Sequence, residues 1–219
     1  GHAAPILYAA LYRANLIHHH PFSLRKIKSP LEGHPVPSSH LPWIKIATGS
    51  LGQGLSVGAG MALAAKLQNK KFKTYVLLGD SESAEGSIYE ALELASHYKL
   101  NNLTAIIDVN RLGQRGETML GYDIKVYKNR FESLGWNTII INGHKIKQVL
   151  KALKKASNSA KPTIIIAKTI KGKGVSFLEN KNGWHGKALS KEQLDKALRE
   201  IPNLEMPKIN IKKLEKTQI

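Results

Sequence analysis

The residues 79–86, GDSESAEG, follow directly on the apolar run TYVLL at 74–78. Three carboxylates, Asp80, Glu82 and Glu85, therefore stand just past a strand, in a chain whose formal net charge is +17. Thirty residues after Asp80, Asn110 closes a second apolar run, NLTAIIDVN. Roughly thirty residues is the length of a βαβ unit, so both side chains emerge at the carboxyl edge of neighbouring parallel strands. That edge is where open α/β sheets bind ligands. A carboxylate, a side-chain amide and a nearby backbone carbonyl are hard oxygen ligands. They suit Mg²⁺ or Ca²⁺ and leave coordination positions open for phosphate oxygens. The helix beginning near Ser87 adds an N-terminal dipole that favours an anion. A cation on Asp80 would bridge the acidic cluster to a phosphate.

These two edges need a scaffold, and the hydrophobic pattern predicts one. AAPILYAALYRANLI reads as a buried helix, and LGQGLSVGAGMALAAKLQ as a helix whose small residues permit close packing. TYVLLGD is an apolar strand, followed by the helix SIYEALELASHYK with Ile88, Leu92 and Ala95 at helical spacing. NLTAIIDVN, NTIIING and PTIIIAKT are three more strands. Helices lie over YKNRFESLG, over KIKQVLKALKKA and over SKEQLDKALREI, whose Ser190 and Gln193 make a capping-box pair. Apolar strands separated by helices predict an α/β fold, a parallel sheet covered by helices on both faces. The proline-rich run Ser29–Pro42 is excluded from helix and central strand and reads as a long loop. Residues 1–201 read as one module. The segment 202–219 loses periodicity and reads as an exposed tail or the start of a linker.

At 219 residues and 42% hydrophobic, the chain can bury the core of one sizeable α/β domain. No apolar run approaches the ~20 residues that span a bilayer. The chain has no cysteine, which excludes disulfide and thiol chemistry and fits a cytoplasmic setting. It begins at Gly1, not Met, and so reads as processed, cloned or truncated. An excess of 33 Lys and Arg over 16 Asp and Glu suggests nucleic acid as a partner class. The lysines are dispersed, however, aromatics are 6%, and no RNA-binding signature or recognition helix is present. Dispersed lysines keep a surface soluble, or attract phosphorylated small molecules and an acidic partner. Lys147, Lys151, Lys154 and Lys155 read as a solvated helix face, His18, His19 and His20 as a solvated loop, His97 and His144 as surface or capping residues, and Trp136 as core.

The stretch GSLGQGLSVGAG invites a dinucleotide-binding reading. Gly52 and Gly54 fit its first two glycines, but the third falls on Val57 and no strand precedes it. That reading is rejected. A glycine-rich turn at Thr48–Gly52, offering backbone groups to a ligand, stands.

GDSESAEG and the DVNRLGQ that follows it resemble the thiamine-diphosphate signature of transketolases, a GDG with an Asn about thirty residues later. GHAAPILYA, EGHPVP, ATGSLGQGL, AKTIKGKG and WHGKAL resemble further transketolase blocks, in family order, from Gly1 to about Ile201. The resemblance implies thiamine diphosphate as cofactor, with Asp80, Asn110 and the carbonyl of Leu112 as ligands of Mg²⁺ or Ca²⁺. It places Gly79, Ser81 and Asn110 along the diphosphate and Gly49 and Leu51 at the aminopyrimidine end. His2, His34 and His185 would face cofactor and sugar substrate, and Lys171 would lie near the cofactor. Glu85 would join a carboxylate relay between the two active sites of a dimer, while Glu82 only caps the helix.

The same resemblance implies an enzyme of the pentose phosphate pathway that moves a two-carbon ketol unit between sugar phosphates. Its active site would form with a pyrimidine-binding module, in a homo- or hetero-oligomer. Neither nucleic acid nor membrane is an implied partner. Against the family pattern the chain looks short at both ends, so that alone it would be inactive. Ser81 replaces the usual second glycine. A strained or crowding serine there would weaken cofactor binding, and Ser81→Gly would then tighten it. Dihydroxyacetone synthase, deoxyxylulose-phosphate synthase and a non-catalytic, degenerate subunit remain as alternatives.

Overall fold

The computed structural model describes residues 1–202, so the predicted tail or linker falls, from Asn203 on, outside the described residues. The described chain divides into two compact units, Gly1–Ser50 and Leu51–Pro202.

In the first unit, α1 (Ala4–Arg13) carries a proline in its first turn, where the missing N–H costs nothing. Its Ala4 and Tyr8 pack with Ile17, Leu31, Leu41 and Ile44 in a small separate core. The predicted loop holds. Residues 29–42 contain no helix or strand, and their one β-type pairing is an isolated bridge, Ser38 to Leu41.

The second unit is built on four parallel strands, β1 (Thr74–Gly79), β2 (Leu103–Val109), β3 (Asn137–Asn142) and β4 (Thr163–Lys168), in the order β1-β2-β4-β3. Against them lie α2 (Gln53–Leu67), α3 (Gly86–His97), α4 (Ile124–Ser133) and α5 (Ile146–Ser157), and α6 (Lys191–Glu200) follows β4. One face of the sheet packs Leu78, Ile107 and Ile166 against Leu55, Leu92 and Phe131. The other packs Ile165 and Ile141 against Ala152 and Ala156 of α5. Each large side chain of this kind contributes about 1.5–3 kcal/mol by leaving water. Trp136 is core as predicted, with its indole N–H donating to the Leu92 carbonyl. Ser190 and Gln193 make both bonds of the predicted capping box.

Coverage on both faces holds for the two central strands, Ile106 of β2 packing with the α5 cluster. On the edge strands it fails in part, because Tyr75 and Leu77 of β1 are 48% and 65% exposed and Ile140 of β3 is 50% exposed.

The small residues of α2 permit the close packing predicted of them. A Cβ added at Gly58 would stand 2.3 Å from a Val76 methyl on β1, whereas one at Gly60 would meet nothing within 4 Å. Gly58→Ala is expected to cost about 1–3 kcal/mol through overpacking. Gly60→Ala should gain up to about 1 kcal/mol from helix propensity. Urea denaturation of the two variants checks the pair.

Candidate functional site

In the first unit, three of the predicted residues come together. The rings of His2 and His34 lie 5.3 Å apart, tilted by 49°. Gly49 sits against His34 with a positive φ of +142, and a Cβ there would stand 2.8 Å from the His34 ring. The Thr48 N–H donates to the Pro35 carbonyl and lays the EGHPVP loop along the glycine-rich turn. His19 and His20 make ring contacts with His40 and with Tyr12 and Phe22. Among the described residues no group of three His, Cys, Asp or Glu is placed to hold a metal.

In the second unit, the parallel pairing of β1 with β2 sets Gly79 beside Asp108 and so puts Asp80 and Asn110 at one edge. Asp80 is only 5% exposed. Its Oδ1 accepts from the Ser81 N–H at 2.8 Å, and its Oδ2 from the N–H groups of Asn110 at 3.0 Å and Arg111 at 2.6 Å. One carboxylate thus ties the end of β1 to the first turn after β2. Asn110 Oδ1 accepts from the Leu112 N–H at 3.1 Å, and its amide reaches Asp108 at 3.4 Å. Between these residues Arg111 adopts a left-handed backbone, φ +64, which is strained for a side chain with a Cβ. Its guanidinium is anchored by Glu117 at 2.9 Å and Asn180 at 2.9 Å.

Lys171 completes the cluster. Its ammonium donates to the Leu112 carbonyl at 3.0 Å and lies 3.4 Å from His185 Nδ1. The carbonyl predicted to bind metal therefore already accepts a bond from a cationic side chain, and its second lone pair remains.

Glu82 does not cap the helix that follows it, as was expected, because its carboxylate is engaged elsewhere. It accepts from Gly52 N–H at 2.9 Å and Gly79 N–H at 3.0 Å, joining the start of α2 to the end of β1. Gly52 needs to be glycine, with φ +84 and the Glu85 Cβ 2.8 Å from where its own would stand. Glu85 is the exposed N-cap of α3 and makes no side-chain capping bond. Leu51 is 39% exposed. The Gly79 and Ser81 N–H groups are both engaged inside the chain, so any role at a phosphate rests on close backbone approach. Ser81 is right-handed (φ −57, ψ −43), which removes the strain a serine was expected to bring. Asp108, Arg111 and the bridging role of Glu82 were not legible in the motif. The Asp in DVN was the available signal for the first.

The electrostatics suit a cation. Burial pushes the Asp80 carboxyl above its usual range, three backbone N–H donors pull it back, and Asp108 adds to the upward push. Burial lowers the Lys171 ammonium, while Asp80 and Asp108 hold it up. None of the ion pairs among the described residues includes Asp80. A buried carboxylate of this kind, beside an amide oxygen and a carbonyl that each keep a lone pair, fits a hard divalent cation.

The fold and the strand-end oxygen cluster define a parallel α/β domain with its polar groups gathered at the carboxyl edge of the sheet. The family described as "Transketolase, thiamine diphosphate binding domain" matches residues 1–213. Transketolase-like protein 2 of Bos taurus is 48% identical over 204 residues, 92% of this chain and 32% of that protein. Human transketolase is 47% identical over 203 residues with the same coverage. An apulose-4-phosphate transketolase subunit of Phocaeicola vulgatus is 39% identical over 218 residues, 99% of this chain and 75% of that protein. The crystal structure of the Campylobacter jejuni transketolase superposes with a TM-score of 0.74 at 38% identity, over 84% of this chain and 30% of that one. The chain belongs to the transketolase family, of which it carries the thiamine diphosphate-binding domain. It spans about a third of the length of the Bos taurus and human relatives.

Proposed function

We propose that this chain holds thiamine diphosphate through Mg²⁺ or Ca²⁺ and works with a pyrimidine-binding module as a transketolase. The assembly would move a two-carbon ketol unit from a ketose phosphate to an aldose phosphate, the chemistry of the pentose phosphate pathway. The observation that carries this reading is Asp80, buried at the carboxyl edge and bonded through one oxygen to the backbone of Asn110 and Arg111. Asp80, Asn110 Oδ1 and the Leu112 carbonyl would hold the cation, with Lys171 supplying positive charge beside the diphosphate. Bound thiamine diphosphate supplies the electron sink that allows a carbon–carbon bond next to a ketose carbonyl to break. His2, His34 and His185 would bind sugar hydroxyls and hold or move protons there. Glu85, exposed at the head of α3, would reach a partner's carboxylates. The Phocaeicola vulgatus relative, named as one subunit of a transketolase and covered over 75% of its length, supports assembly from separate chains. The strain argument for a degenerate, non-catalytic subunit is lost with the ordinary backbone of Ser81.

Calorimetric titration of the chain, together with its pyrimidine-binding module, tests the reading. Thiamine diphosphate should bind with Mg²⁺ present and fail to bind in chelator. Binding of equal strength in both would remove the cation from the site.

A further inference from the structure

Ser81 departs from the GDG pattern, and its side chain has a definite place. Its backbone is fixed on both sides. The N–H is held by Asp80 Oδ1 at 2.8 Å, and the Ser81 carbonyl accepts from the Ala84 N–H at 3.1 Å in the short turn before α3. The Ser81 hydroxyl then rests on Gly113, where an added Cβ would stand 2.5 Å from Oγ. The next atom such a Cβ would meet, the Gly116 carbonyl oxygen, is 3.4 Å away. Gly113 is not among the residues with positive φ, so its backbone does not demand glycine. A side chain at Gly113 would instead have to displace the Ser81 hydroxyl.

Gly113 belongs to the turn that carries the proposed cation ligands. That turn doubles back on itself through Gly113 N–H to Gly116 carbonyl at 2.7 Å and Thr118 N–H to Arg111 carbonyl at 2.8 Å. It also contains the left-handed Arg111, a conformation that persists only where its surroundings over-determine it. The bracing is visible on three sides. Asp80 holds the Asn110 and Arg111 N–H groups, Glu117 and Asn180 hold the Arg111 guanidinium, and Lys171 holds the Leu112 carbonyl. The Ser81 side chain presses on a fourth.

We propose that Ser81 is a positioning residue, a steric latch whose hydroxyl packs on Gly113 and fixes the Asn110–Gly113 turn so that the Asn110 amide and the Leu112 carbonyl face one cation. The ligand in this inference rests on the function proposed above. The latch itself concerns the ligand-free chain and is tested there separately.

The test is an exchange of sizes across the contact. Ser81→Gly removes the hydroxyl, Gly113→Ala puts a methyl where the hydroxyl sits, and the double variant places that methyl in the space just vacated. Amide hydrogen exchange over residues 111–118 is read on the ligand-free 219-residue chain. Mg²⁺-dependent affinity for thiamine diphosphate is read on the chain with its pyrimidine-binding module. Each single variant should speed exchange in the turn and weaken cofactor binding by about tenfold, the scale on which touching residues couple. The double variant should recover most of both losses, and if Gly113→Ala alone does not fold, recovery of folding in the double variant is the same result.

Unchanged exchange in Ser81→Gly overturns the latch. So does a double variant no better than the sum of its parts. Loss of affinity in Ser81→Gly with exchange unchanged would assign the hydroxyl to direct contact with cation or phosphate instead. If the unmodified chain binds no cofactor, the functional proposal fails while the exchange data still decide the latch.

Discussion

Asp80→Ala is expected to abolish Mg²⁺-dependent binding of thiamine diphosphate. Even residues that only orient a metal's ligands are worth about 10–100-fold in affinity, so loss of a carboxylate ligand should cost about a hundredfold or more. The substitution acts in two ways. It removes the one buried carboxylate at the edge, the charge that would hold the cation against the diphosphate. It also frees the N–H groups of Ser81, Asn110 and Arg111, which Asp80 now accepts. Each costs about 1–3 kcal/mol if water does not replace the bond.

Asp80→Asn separates the two effects. Its oxygen can still accept from Asn110 and Arg111, and only the Ser81 N–H faces another donor. The native carboxyl is raised by burial, so its contribution to the cation-free fold is present below its unfolded pKa and is lost as pH rises through the folded one. Once ionised, the group therefore costs the cation-free fold stability, and a bound cation reverses the sign. Asp80→Asn should keep the fold, read by thermal melting without metal, and still lose cofactor binding, read by calorimetry with Mg²⁺. An Asp80→Asn chain that binds as tightly as the unmodified one would show that the charge, and hence the metal, is not needed at this position.

The second large effect concerns the chain by itself. The 219-residue polypeptide, saturated with thiamine diphosphate and Mg²⁺, is expected to show no ketol transfer, and a separately expressed pyrimidine-binding module should restore it. In the proposed function, the groups described would hold only the cation and the diphosphate. For the aminopyrimidine the resemblance names only Gly49, which has no side chain, and Leu51, a 39% exposed leucine. A site that leaves half of a cofactor in water binds it weakly, because ligand sites ordinarily bury most of a ligand's surface. The human and Bos taurus relatives are about three times as long as the segment they share with this chain. The assay pairs xylulose 5-phosphate with ribose 5-phosphate, with and without the second module. Turnover by the polypeptide alone would overturn the division of roles between the two modules.

The sequence by itself determined the elements and their order. A strand of period two and a helix of period 3.6 are written in consecutive residues, so TYVLL, TAIIDV and TIIIA announce a parallel sheet without any tertiary information. The thirty-residue step from Asp80 to Asn110 placed both at one sheet edge for the same local reason. The capping box of α6 was legible because its two partners are three residues apart. What only the tertiary structure decided are contacts whose partners are remote in the chain or whose geometry depends on backbone dihedrals. Glu82 was predicted to cap a helix, and the fold instead brings it to Gly52, thirty residues away. Lys171 meets the Leu112 carbonyl across 59 residues because β4 lies beside β2, an adjacency that strand order sets and no motif records. Ser81 reads in the sequence as a strained substitute for glycine, since a residue letter carries no φ. Its ordinary right-handed backbone, and the room for its hydroxyl at Gly113, exist only once the two strand ends stand side by side.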